Sequence, residues 1–300
     1  MSGALDPQGR RVLYYNGVWR EEAERLDVKS RKFSPLQPNA RVRQAAFSRD
    51  GQWMAYIDWQ NGSLVRSRAD GTEPVVLAPG GTYHPGFPRL SPDGKWIVFG
   101  GTLKGQAVDT FVVPSSGGYP EHLLEGQTDM RDADWSSDGR KLVLSRTLGS
   151  KSSESRELVI VDFETRHAEK LPGSDKLVAS RWSPDGRFIS ATVDDESELR
   201  LWAFSSRKWT VIARGAALRI SVWSPDSRYL YFQDLLSNGQ SLQRYDLHSG
   251  RVEVVAEFSE ILKSGAADRC SLEGTTADGA PVIDFNRGAY DLFAAALRLP

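Results

Sequence analysis

Apolar residues along this chain come in short bursts broken by turn-forming clusters, and no stretch sustains a helical period. Representative bursts are Trp96-Ile97-Val98-Phe99, Leu142-Val143-Leu144 and Tyr229-Leu230-Tyr231-Phe232. Runs this short, rich in β-branched and aromatic residues and bounded by Gly, Pro, Asp and Ser, predict β-strands. Residues 19–26 (Trp-Arg-Glu-Glu-Ala-Glu-Arg-Leu) would suit a helical turn by composition. Their place in the repeat described next, where Leu26-Asp27 matches Tyr245-Asp246, favours a strand.

The turns between bursts repeat one phrase. Its clearest form is Trp182-Ser183-Pro184-Asp185-Gly186, with further copies at Phe47–Gly51, Leu90–Gly94, Trp135–Gly139 and Trp223–Ser227. Worn copies stand at Leu5–Gly9 and Thr275–Gly279. The final residues of these copies (9, 51, 94, 139, 186, 227, 279) are 41 to 52 positions apart. A period in the forties marks a propeller or solenoid. Within the phrase, the Ser hydroxyl bonds back to the turn, Pro presets φ, Asp favours the third position and Gly takes positive φ. That is a hairpin turn closed by a Gly bulge. The structural turn residues are thus Asp50, Gly51, Asp93, Gly94, Asp138, Gly139, Asp185, Gly186, Asp226, Asp278 and Gly279. Ser227 sits in a Gly slot, at a cost of about 1 kcal/mol if its φ is positive.

Each phrase is followed by a second strand, a third ending in another turn (Leu64 to Gly71, Leu242 to Gly250) and a shorter fourth (Trp209–Ile212, Val252–Val255). Four antiparallel strands per repeat make a propeller blade. The fold expected is therefore an all-β propeller over 1–300, with blades at approximately 1–40, 41–80, 81–127, 128–175, 176–215, 216–259 and 260–300. Seven blades are favoured, and six with one terminal hairpin outside the ring is the alternative. Both end blades read as incomplete and without complementary pieces. The ring is expected to close by simple packing, the alternative being that the chain is part of a longer protein.

The Ser-Pro-Asp-Gly phrase, preceded by Trp and followed by a basic residue and an apolar strand, resembles the WD-like repeat of TolB-type bacterial β-propellers. The runs His84–Gly94 and Arg181–Ile189 are similar to a narrower group, in which the propeller forms the C-terminal part of larger bacterial regulators behind a winged-helix or kinase domain. Neither domain is present here. The resemblance implies a propeller fold and an interaction or sensor role, and it carries over no DNA-binding or kinase activity.

Net charge is −1, which removes the general attraction to nucleic acid or anionic membrane. The single cysteine, Cys270, excludes an internal disulfide framework and reads as structural. The first residues lack a basic region followed by an apolar core, so no signal peptide is read, and no apolar run approaches a membrane span. If Met1 is the true start, the location expected is cytoplasmic; as part of a longer chain it could be periplasmic. A monomer is expected.

The four histidines (His84, His122, His167, His248) occupy unmatched positions, without the converging ligands a zinc centre needs. One carboxylate per turn is far short of calcium's oxygen shell, and the acidic stretch Asp194–Glu198 reads as a solvated hairpin tip. No phosphate loop or nucleophile elbow occurs. No metal, cofactor or catalytic residue is expected. Polar residues instead gather on the innermost strands: Arg89, Arg131, Asp132, Asp134, Arg181, Arg219, Asp268 and Arg269. Strand side chains alternate in direction, so some of these flank residues packed between blades and others face the channel. They are the candidate binding residues at the channel mouth; the bland alternative is that they pair across neighbouring blades.

Two functions stand. One is a non-catalytic interaction or sensor module holding a protein or small ligand of unknown identity at the channel mouth. The other is a metal-dependent propeller enzyme of the lactonase or lyase kind. The enzyme would need a convergent set of Asp, Asn, Glu or His on three or more inner strands, where this chain offers mainly Arg.

Overall fold

The computed structural model describes residues 2–5, 11–18, 21–36, 41–103, 106–125, 130–148, 156–236, 240–287 and 289–296. Six four-stranded antiparallel sheets form the blades of a propeller. Blade I comprises Val42–Phe47, Trp53–Asp58, Leu64–Arg68 and Val75–Ala78. Blades II to V follow in chain order, with innermost strands Gly86–Leu90, Met130–Trp135, Leu177–Trp182 and Leu218–Trp223. Blade VI joins the two ends of the chain. Its inner strands are Arg269–Thr275 and Pro281–Asn286, and its outer strands are Glu21–Asp27 and Lys32–Pro35.

The count is therefore six and not seven, with an N-terminal hairpin left out of the blades. Ser2–Leu5 pairs with Arg11–Val18, which pairs in turn with Ala289–Ala296, in a separate three-stranded sheet. The worn phrase at Leu5–Gly9 falls between the first two of these strands, and its residues 6–10 lie outside the described residues. Each phrase marks one hairpin, and a hairpin becomes a blade only when third and fourth strands pair on it. The expectation that the end blades lack complementary pieces is corrected for the same reason. Residues 21–27 do form a third strand, but on the last blade, in register from Val282↔Arg25 to Asn286↔Glu21.

Packing shows why this distant pairing holds. Leu26 is fully buried, in one cluster with Phe258, Cys270, Leu272, Ile283 and Phe285, and burying a leucine is worth about 1.5–3 kcal/mol. Phe33 adds an edge-on contact to Phe285, with centroids 5.2 Å apart. Arg287 on the C-terminal side pairs with Glu22 and Glu24 on the N-terminal side, at 2.5 and 2.8 Å.

All six turns are built alike. In blades I to V the Ser hydroxyl donates to the Asp carboxylate two residues on, at 2.6 to 2.7 Å, and Thr276 does the same to Asp278 in blade VI. The same carboxylate accepts a backbone N–H from the residue after the Gly slot in blades I to V, as Arg187 N–H does to Asp185 (2.9 Å). Asp50, Asp93, Asp138, Asp185 and Asp278 are accordingly held below the usual range. At Asp50, Asp138 and Asp278 the hydroxyl is the main cause. At Asp93 and Asp185 partial burial pushes upward and the turn hydrogen bonds outweigh it. Ser227 has φ of 59°, as its Gly slot demands.

A second recurrent device lies in the innermost strands. Each carries an irregularity that leaves it one residue longer than its partner. In blades I to IV the residue seven before the Gly has positive φ: Gln44 (52°), Phe87 (51°), Asp132 (56°) and Ala179 (52°). Bulges of this kind re-aim the residues beside them.

Candidate functional site: the central channel

The residue two before Pro in the phrase packs between blades, and the one before it faces the channel. Trp135, Trp182 and Trp223 are buried in inter-blade cores. Their indoles also tie blades together: Trp135 Nε1–H donates to Arg89 O (3.1 Å) and Trp223 Nε1–H to Arg181 O (3.2 Å). The channel-facing position holds Ala46, Arg89, Asp134, Arg181, Val222 and Gly274 in blades I to VI, and all six, with Glu273 beside Gly274, line a cavity of about 200 Å³.

Four of the candidate residues converge here. Arg181 is 3% exposed and pairs across the blade boundary with Asp132, at 2.8 Å; its Nη1 also donates to Ser180 O (2.7 Å). Its Nε and Nη2 are buried without hydrogen-bond partners. Asp134 accepts the Trp182 backbone N–H (2.8 Å), and burial holds its carboxyl above the usual range against the pull of Arg181 and Arg89. Arg89 donates to Pro88 O (2.8 Å); burial first, then the Arg181 charge, lowers its guanidinium to about 10.

The other four do not join them. Arg131, Arg219, Asp268 and Arg269 are exposed near the starts of the inner strands, at the opposite end from the turns. Arg219 pairs with Glu196 (3.0 Å) and Arg269 with Glu21 (3.8 Å). The candidate list thus divides into a buried interior set and an exposed rim.

Three features of the channel were not among the candidates. Glu273 faces the cavity, and burial, aided by the Asp284 charge, pushes its carboxyl well up. Asp284 is buried on the second strand of blade VI; burial, then the Glu21 charge, raises it to about 7. Arg49 occupies the Pro slot of blade I and reaches across the turn-end mouth to Ser137 O (3.3 Å) and Pro184 O (3.2 Å). The signal for Arg49 was its departure from Ser-Pro-Asp-Gly; Glu273 is the residue just before Gly274, the channel position of the worn last phrase.

Elsewhere, Cys270 is buried and its thiol is pushed up to about 12 by desolvation, which removes thiolate reactivity at neutral pH. His122 Nδ1 lies 2.7 Å from Asp109 Oδ2, with its ring against Phe111 on the outer side of blade II. Among the described residues, no group of three or more His, Cys, Asp or Glu is arranged to hold a metal ion. No helix among them is long and apolar enough to cross a membrane.

No protein-family model matches this sequence, and no curated protein matches it. Solved structures do. A putative TolB from Agrobacterium tumefaciens superposes with a TM-score of 0.69 at 17% identity, covering 91% of this chain and 99% of that one. TolB from Acinetobacter baumannii gives 0.60 at 12% identity, over 94% of this chain and 66% of that one. An oligogalacturonate lyase in complex with manganese gives 0.53 at 16%, over 80% of this chain and 74% of that one. At these identities the likeness is one of fold. The chain is a TolB-like β-propeller in architecture.

Proposed function

We propose that this propeller is a non-catalytic interaction module that engages a protein partner at the loop-end mouth of its channel. The observation that carries the reading is the exposed rim formed by Arg131, Arg219, Asp268 and Arg269, set around a channel in which Arg181 pairs with Asp132 and Asp134 with a backbone amide. A propeller presents such a rim on rigid strands, so a partner can be held with little reorganisation. Charged rim groups chiefly set association rate and salt dependence. The resemblance of its Ser-Pro-Asp-Gly phrase to the repeat of larger bacterial regulators agrees with a docking or sensor role within a bigger assembly.

The lyase neighbour supplies the opposing reading of a metal-dependent enzyme. It lacks support from the ligand census among the described residues. Arg131→Glu, Arg219→Glu and Arg269→Glu are each expected to weaken partner capture by the immobilised chain, most at low salt, with thermal midpoints unchanged. A screen of lactone, ester and glycoside substrates with added calcium or manganese is the counter-test. Turnover that disappears on chelation overturns the proposal.

A further inference from the structure

The cavity of about 200 Å³ within the channel has room for roughly six or seven waters at ~30 Å³ each. Two groups of opposite charge line it without meeting. Arg89, on blade II, donates only to the carbonyl of its own neighbour Pro88 and has no carboxylate in ion-pair contact among the described residues. Glu273, on blade VI, likewise has no hydrogen-bond or ion-pair partner among them. Each nevertheless feels the other's charge.

Their separation has a plain cause. Blade I stands between them and contributes Ala45, Ala46 and Phe47 to the lining, with the short Ala46 at its channel-facing position leaving a gap there. Arg181 meets Asp132 through Nη1, its Nε and Nη2 having no hydrogen-bond partner, and Asp134 accepts the Trp182 amide. Above the gap the lining turns apolar, with Phe47, Trp182 and Trp223. A desolvated guanidinium without a carboxylate partner is costly, while burial keeps the Glu273 carboxyl toward its protonated form; an anion beside Arg89 and a cation beside Glu273 would relieve the first and favour ionisation of the second.

We propose that the channel binds a free α-amino acid with an apolar side chain. Its carboxylate would meet the Arg89 guanidinium, its ammonium the Glu273 carboxylate, and its side chain the ring of Phe47, Trp182 and Trp223. This assignment does not depend on partner capture at the rim, and either can fail alone.

The test is calorimetric titration of the full chain with L-phenylalanine, and with 3-phenylpropionate and 2-phenylethylamine, which each lack one of the two charges. Saturable binding of one phenylalanine per chain is expected, with both analogues at least tenfold weaker. Arg89→Gln and Glu273→Gln should each cost at least tenfold. Ala46→Leu, which fills the gap and leaves both charges in place, should abolish binding; circular dichroism melts confirm that the variants fold. No saturation by phenylalanine or leucine at millimolar concentration overturns the proposal. So does equal binding of 3-phenylpropionate, which would mean a simple anion site, or of 2-phenylethylamine, which would mean a cation site. Undiminished binding in folded Arg89→Gln and Glu273→Gln would place the ligand elsewhere and also overturn it.

Discussion

Ser227 stands in the Gly slot of the blade V turn with φ of 59°, a conformation that costs a non-glycine residue about 1–2 kcal/mol. Its hydroxyl offsets this by a contact outside its own turn: it accepts the backbone N–H of Asp185 in the blade IV turn, at 3.0 Å. A hydrogen bond of this kind contributes about 0.5–1.5 kcal/mol net. The two effects can be separated by substitution. Ser227→Ala keeps the strained backbone and loses the bond, so it should destabilise by about 0.5–1.5 kcal/mol. Ser227→Gly loses the bond and relieves the strain, so it should stay within about 1 kcal/mol of wild type. Urea melts followed by tryptophan fluorescence give both values. If Ser227→Ala melts like wild type, the hydroxyl contributes nothing. If Ser227→Gly gains the full strain energy, the turn-to-turn bond is equally irrelevant, and the reasoning fails.

Gly186 has φ of 77°, and a Cβ there would lie 2.5 Å from the Ser137 hydroxyl of the preceding turn. Gly186→Val should therefore cost about 2–4 kcal/mol, and Asp185→Ala about 1–3 through its two turn hydrogen bonds; denaturant midpoints check both, and unchanged midpoints with lost partner binding would show a site in place of a scaffold. Asp284 tests the closing blade through pH. Its carboxyl, at about 7 when folded against 3.8 in its ordinary state, holds a proton that the unfolded chain gives up. Its contribution is full below about pH 4 and is lost as pH rises through 7. Asp284→Asn should match wild type at pH 4 and exceed it at pH 8, on the order of 1–3 kcal/mol; equal thermal shifts at both pH values would contradict the assignment.

The strands and turns of this protein were legible because their causes are local. The Ser–Asp staple and the positive φ of each Gly slot act within five residues, so Trp182–Gly186 announces its own geometry, and even the strain at Ser227 could be foreseen. The period of the phrase then implies a propeller, since four strands per repeat bury their faces only against neighbours. Blade number was a different matter. Residues 21–27 pair with 281–286 because Leu26 and Phe33 complete a core with Ile283 and Phe285, and no local pattern records which distant edge a strand will cover.

The channel divides in the same way. That polar residues crowd the innermost strands could be read from the chain, since strand order follows from the phrase. Which of them point inward depended on bulges at Gln44, Phe87, Asp132 and Ala179, none of which carries the glycine that would have announced it. Ring closure then decided that Arg181 is buried against Asp132 while Arg131 and Arg219 stay on the rim. It also left Arg89 and Glu273 lining one cavity, with the short Ala46 at the channel position of the blade between them. Those relations arise between blades, where six separate strand ends are brought together by packing, and side-chain direction there is set by the ring as a whole.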